Sequence, residues 1–150
     1  MPTTIPESAT LPGALRRIGA LVYDLLAVTA IAMIGSLPPV VINGVGFTKD
    51  DGLIYLLYLS YVLLLAIAYF VISWRVKHCT IGMKAWRLEL VNLQDGPFSW
   101  RQLVTRAVMG IVAWLPLGIG VWWQYTASNK RTWHDLASNT RVVVLKKRKR

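Results

Sequence analysis

Two long apolar runs, separated by a short polar connector, dominate the first half of the chain. The first covers residues 18–37 and carries one charge, Asp24. The second, residues 53–74, is 22 residues without a formal charge. At about 1.5 Å of rise per residue, ~20 helical residues cross a hydrocarbon core of about 30 Å. Both runs are read as membrane-spanning helices. The first follows Arg16-Arg17, as the apolar core of a signal peptide follows its basic flank. It is too long for that core, holds an acid and lacks a small-residue cleavage site, so a retained helix is predicted. It is expected to stop at Pro38-Pro39, which cannot continue a helix. Residues 40–52 form a connector with turn signals at Asn43-Gly44 and Gly46.

A third apolar run, residues 103–125, differs from both. Its middle reads Leu115-Pro116-Leu117-Gly118-Ile119-Gly120, and Pro with two Gly marks a break or kink. Each half is too short to span alone. The run is either a re-entrant helical hairpin or one kinked span. Between the second and third runs, Trp86, Leu88 and Leu90 alternate with Arg87, Glu89 and Val91, the period of a half-buried strand. The β-branched stretch Thr140 to Leu145 is also strand-like. The pattern predicts an all-α membrane protein: two transmembrane helices, a broken third segment, and a small cytoplasmic β element pairing these two stretches. Residues 1–14, with three Pro, are expected to be loose.

Charge bears on orientation. The 150-residue chain has 17 Lys and Arg against 7 Asp and Glu, a net charge of +10. Basic residues beside membrane segments stay on the cytoplasmic side. If the third segment crosses, the 17 bases divide into eight and nine. If it returns, all but Lys49 fall on one side. The second arrangement fits better and puts both termini in the cytoplasm, with the protein in the cell membrane. The basic tail, residues 146–150, reads as an anchor for anionic lipid headgroups rather than as a nucleic-acid contact.

Candidate chemistry is sparse. A single Cys, Cys79, excludes an internal disulfide framework. His78-Cys79 lacks the further ligands that a zinc site needs. No phosphate-binding Gly loop or nucleophile elbow occurs, so no enzyme, metal or cofactor is expected. The intramembrane charges stand out instead. Asp24 lies about 9 Å below the start of its helix, and Arg106 enters its segment to a similar depth. A lone charge at depth costs about 2.5–3.5 kcal/mol, so the two are expected to face each other. Arg17, Ala20 and Asp24 share one helix face. Arg17 is expected against phosphate or another acid, and Ala20 lets a second helix approach. Tyr55, Tyr58 and Tyr61 read as an aromatic belt with packing. Tyr69 is near enough to hydrogen-bond Asp24. In His134-Asp135, the acid either caps a short helix or reaches back to Arg17 or Lys84.

These residues assemble into a resemblance. Arg17-x-x-Ala20-x-x-x-Asp24 resembles the opening motif of the RDD family of small membrane proteins. Thr80-Ile81-Gly82-Met83-Lys84, leading through Leu88 to Val91 and Gly96, is similar to its central element, with Met83 here inserted between Gly82 and Lys84. Arg106 matches the Arg that opens its third segment. His134-Asp135-Leu136-Ala137-x-x-Thr140-x-Val142 is similar to its closing signature, with Ser138 and Asn139 where Gly often stands. The resemblance implies an RDD-like transmembrane domain over residues 15–145. It also implies a polar network of Arg17, Asp24 and Asp135, supported by Arg106, His134, Ala20 and Lys84. Two functions follow as expectations. One is a non-catalytic subunit or assembly factor of a larger membrane complex, with another membrane protein or a second copy as partner. The other is a homo-oligomeric secondary ion transporter, exchanging a cation for a proton through Asp24.

Overall fold

The computed structural model describes residues 10–43, 52–94, 96–114 and 132–144. Helix α1 is Ala14–Asn43 and helix α2 is Leu53–Lys77. Both are long and apolar enough to cross a membrane. Only 0% and 6% of their apolar windows are buried. A core helix of a soluble protein would hide these side chains; here Leu25, Leu26, Met33, Leu56, Leu57 and Leu64 all face outward. The helix N-terminal half of the third apolar run is α4, Trp100–Trp114. The break at 115–120 and the tail at 146–150 lie outside the described residues.

Helix α1 runs through Pro38-Pro39 instead of stopping there. One of the two backbone bonds that the prolines remove is replaced. Pro39 has no N–H to give the carbonyl of Gly35, four residues back. The Tyr61 hydroxyl donates to that oxygen at 3.0 Å. Tyr58 is hydrogen-bonded to Ser36 at 2.9 Å, one turn away from Pro39. These two tyrosines therefore stitch α2 to α1.

A small head gathers at the end where α1 starts and α2 finishes. It comprises α3 (Ile81–Ala85), strand β1 (Leu88–Asn92), the short helix α5 (Trp133–Ala137) and strand β2 (Thr140–Val144). The strands pair antiparallel, with Leu90 opposite Val142 and Asn92 opposite Thr140. The two stretches expected to form a sheet do so. Leu88, Leu90 and Val142 join Ala20, Val71, Trp74, Met83 and Leu103 in the core of the head. The same inward face carries Thr140, since alternate residues share a side. The Thr10 carbonyl accepts the edge N–H of Val144 at 2.9 Å; residues 1–9 of the stretch expected to be loose lie outside the described residues.

Helix α4 starts with a reciprocal cap. The Gln102 N–H donates to the Ser99 hydroxyl, and the Ser99 N–H donates to the Gln102 side chain. Gln102 Nε2 also donates to Asn92 Oδ1 at 2.8 Å, which ties the helix start to the end of β1. Arg106, one turn further along, is thereby aimed into the head.

Candidate functional site

Asp24 does not pair with Arg106. Its carboxylate is fully engaged by neutral donors. Oδ1 accepts the Tyr69 hydroxyl at 2.8 Å and the Gly82 N–H at 2.9 Å. Oδ2 accepts the Thr80 hydroxyl at 2.6 Å. The reach of Tyr69 to Asp24 is as the sequence suggested. The Ile81 N–H donates to the Tyr69 oxygen, and the Met83 N–H donates to the Thr80 oxygen. Three side chains thus satisfy the first three free N–H groups of α3, which a helix start leaves without internal partners. The depth argument anticipated a counter-charge for Asp24. Hydrogen bonds from Tyr69, Thr80 and Gly82 fulfil that need instead.

The approach is close because position 82 is Gly. A Cβ there would run into the Ala20 carbonyl oxygen. Ala20 itself is 4% exposed, so the small pair Ala20 and Gly82 lets α3 sit on α1.

Arg106 turns the other way. Its Nη1 donates at 2.6 Å both to Asp135 Oδ1 and to Thr140 Oγ1. The guanidinium also lies over the Trp74 ring, 5.2 Å from its centroid. A chain of hydroxyls continues the contact. The Ser138 hydroxyl donates to the His134 carbonyl at 2.6 Å, so Thr140 donates to Ser138 and accepts from Arg106. Arg17 reaches the second oxygen of Asp135 at 3.6 Å. Of the two partners expected for Asp135, Arg17 is the one in place, and Lys84 is exposed away from it.

Asp135 is not the cap of α5. Thr132 fills that role, its hydroxyl accepting the Asp135 N–H. The Thr-x-x-Asp spacing was a readable signal for this start. Burial opposes ionisation of Asp135, but the Arg106 and Arg17 guanidiniums hold its carboxyl well below the usual carboxylate range. His134 is buried beside the same cations, and burial followed by Arg106 pushes its pKa down to about 3. It is therefore neutral, with Nε2 3.0 Å from the Thr132 hydroxyl.

The two clusters share a cleft of about 120 Å³. Arg17, Ala20 and Asp24 of α1 line one side; Met83, Arg106 and His134 are among the residues lining the rest. Among the described residues no group of three or more His, Cys, Asp or Glu is placed to hold a metal. The residues that sequence reasoning passed over are Thr132, Ser138 and, as partners of charge, Thr80, Gly82 and Thr140.

The model of the RDD family matches residues 11–139 of the chain. No curated protein and no solved structure matches it.

Proposed function

Because the chain belongs to the RDD family of small membrane proteins, we propose that it is a multi-pass protein of the cell membrane serving as a non-catalytic subunit or assembly factor of a larger complex. The observation that carries this reading is the fate of Asp24. Its carboxylate ties α1 to the start of α3 through Thr80 and Gly82 and to α2 through Tyr69, at 2.6–2.9 Å. A group so engaged is a fixed pin rather than a carrier that must release and rebind a proton. The outward apolar faces of α1 and α2 leave room for lipid or for partner helices.

Both termini are cytoplasmic in this reading, and the third apolar segment returns to the side it entered. Two contacts support the return. Asp135, beyond that segment, meets Arg106 within it, and β2 pairs with β1. The positive-inside rule then puts the head and its bases in the cytoplasm.

One observation favours the transport reading: the cleft reaches Asp24. The two separate by experiment. The protein extracted in mild detergent is weighed and its composition determined. A foreign membrane protein at fixed ratio is the expected result. A pure homo-oligomer whose cation flux in proteoliposomes disappears with Asp24→Asn would replace this proposal with the transporter.

A further inference from the structure

We propose that the rim of the head is a lipid-facing surface that gathers anionic phospholipids. Two clusters on it, each of one exposed tryptophan and three bases, take the headgroups of the leaflet around them. Either role of the protein accommodates this surface, because it concerns the surrounding lipid and not an activity.

Helix length sets the depth of the rim. Helix α1 has 30 residues and α2 has 25. At about 1.5 Å of rise per residue, ~20 residues fill a hydrocarbon core of about 30 Å. Counted from the far ends of the two helices, that core is used up near Asp24 in α1 and Ile72 in α2. The first turns of α1 and the end of α2 therefore stand in the headgroup layer. Each tryptophan is held against one of these stretches. The Trp86 ring lies on Gly19, which has no side chain to push it away. The Trp100 ring lies under the Arg75 guanidinium, 5.8 Å from the ring centroid. Trp86 is 37% exposed and Trp100 is 58% exposed. An indole, with an apolar body and one polar N–H, favours this layer over water or hydrocarbon.

The bases stand at the same level. Arg16 comes one turn before Gly19, and Lys84 and Arg87 flank Trp86. Lys77 follows Arg75 by two residues, and Arg101 follows Trp100 directly. Arg75 is half-buried and the other five are exposed. No salt bridge engages any of the six among the described residues. The described acids are Asp24, Glu89 and Asp135; two are buried, Glu89 is half-buried, and none is exposed to offset the bases. Charge of one sign at headgroup depth is complementary to the phosphates of anionic lipid. Ile18, Val76 and Ile81, beside the clusters, are exposed as well and give the lipid an apolar contact. A soluble acidic partner would match the charge alone.

The test reconstitutes the full chain in vesicles of phosphatidylcholine with phosphatidylglycerol. Spin-labelled forms of the two lipids report which one is held against the protein. The parent is expected to prefer phosphatidylglycerol about fivefold, and less at high salt. Arg16→Gln, Lys84→Gln and Arg87→Gln in combination should lower the preference. Arg75→Gln, Lys77→Gln and Arg101→Gln in combination should do the same, and all six together should abolish it. Lys77→Gln with Arg101→Gln spares the contact of Arg75 with Trp100, and it should lower the preference even if a larger combination does not fold. Lys49→Gln, between the far ends of α1 and α2, should keep the parent preference. An equal hold on both lipids by the parent, or a parent-like preference in the folded combinations, would overturn the proposal. No lipid preference, with soluble polyglutamate bound by the parent and not by the combinations, would assign the bases to an acidic protein face instead.

Discussion

Arg106 and Asp135 meet at 2.6 Å although 29 residues separate them in sequence. This contact joins the start of α4 to α5 and, through Thr140, to the sheet. With the pairing of β1 and β2, it ties together the chain on either side of residues 115–131. With Arg17 it forms one buried group of charges; with Tyr69, Thr80 and Gly82, Asp24 forms another. The head is thus fixed to α1 twice, once by an ionic contact and once by a capped helix.

The first prediction concerns this pair. Arg106→Leu and Asp135→Leu should each destabilise the protein by about 3–5 kcal/mol, since each leaves a buried charge without its partner. The double variant should lose much less than the sum. A double-mutant cycle by thermal unfolding in detergent checks this. Additive losses would mean that the contact does not hold the fold. The coupling between Asp24 and Arg106 should be much smaller, because the two share no hydrogen-bonding partner among the described residues.

Thr80 should be more sensitive than Tyr69. Its hydroxyl both donates to Asp24 and accepts the Met83 N–H. Thr80→Val removes a cap and a charge-assisted bond together, for a loss of about 2–4 kcal/mol. Thr80→Ser should retain most of the stability. Tyr69→Phe removes one donor and should cost about 1–3 kcal/mol. Hydrogen exchange at Ile81, Gly82 and Met83 reads the same event locally, with faster exchange expected in Thr80→Val and Tyr69→Phe and near-parent exchange in Thr80→Ser.

The architecture was legible in the sequence wherever it rested on period and length. The uncharged run at 53–74 became α2, and the alternation after Trp86 became β1 with β2 as its partner. Charge pairing was not legible. Depth arguments placed Asp24 and Arg106 at one level, but depth does not specify which neighbour a side chain turns to. The competitors were two hydroxyls, of Tyr69 and Thr80, and the backbone N–H of Gly82, none of which carries a charge. Pro38-Pro39 misled for a similar reason. A proline ends a helix when its lost bond is left open, and here a tyrosine from α2 closes it.

Gly82 and Asn139 make opposite backbone predictions. Gly82→Ala puts a Cβ against the Ala20 carbonyl, which is backbone and cannot swing away, so α3 must lift off α1. A severe loss of folded protein is expected. Asn139 has φ 48°, the left-handed region that Gly enters without a steric penalty. Asn139→Gly should therefore be neutral or slightly stabilising, and Asn139→Val should destabilise by about 1–2 kcal/mol. Melting temperatures of the three variants in one detergent decide both points. A stable Gly82→Ala protein would show that α3 does not press on α1 as described.

The last prediction follows from His134 and fixes the acid side of the stability profile. Its pKa falls from 6.5 to about 3 on folding. Between these values the unfolded chain binds a proton that the folded chain refuses, so stability must fall as pH falls. The contribution is fully present above pH 6.5 and is lost progressively towards pH 3. The slope is at most about 1.4 kcal/mol per pH unit, the value for one proton. Asp135 acts in the same direction at lower pH: its folded carboxyl titrates below the ordinary 3.8, so its stabilisation is lost only as pH falls past that value. The two groups separate by window. His134→Gln should flatten the decline between pH 6.5 and 4 and leave the drop below pH 4 in place. Melting temperature measured across pH 7 to 4 checks it. A parent protein with a flat profile over that range would show that His134 is not buried as a neutral ring.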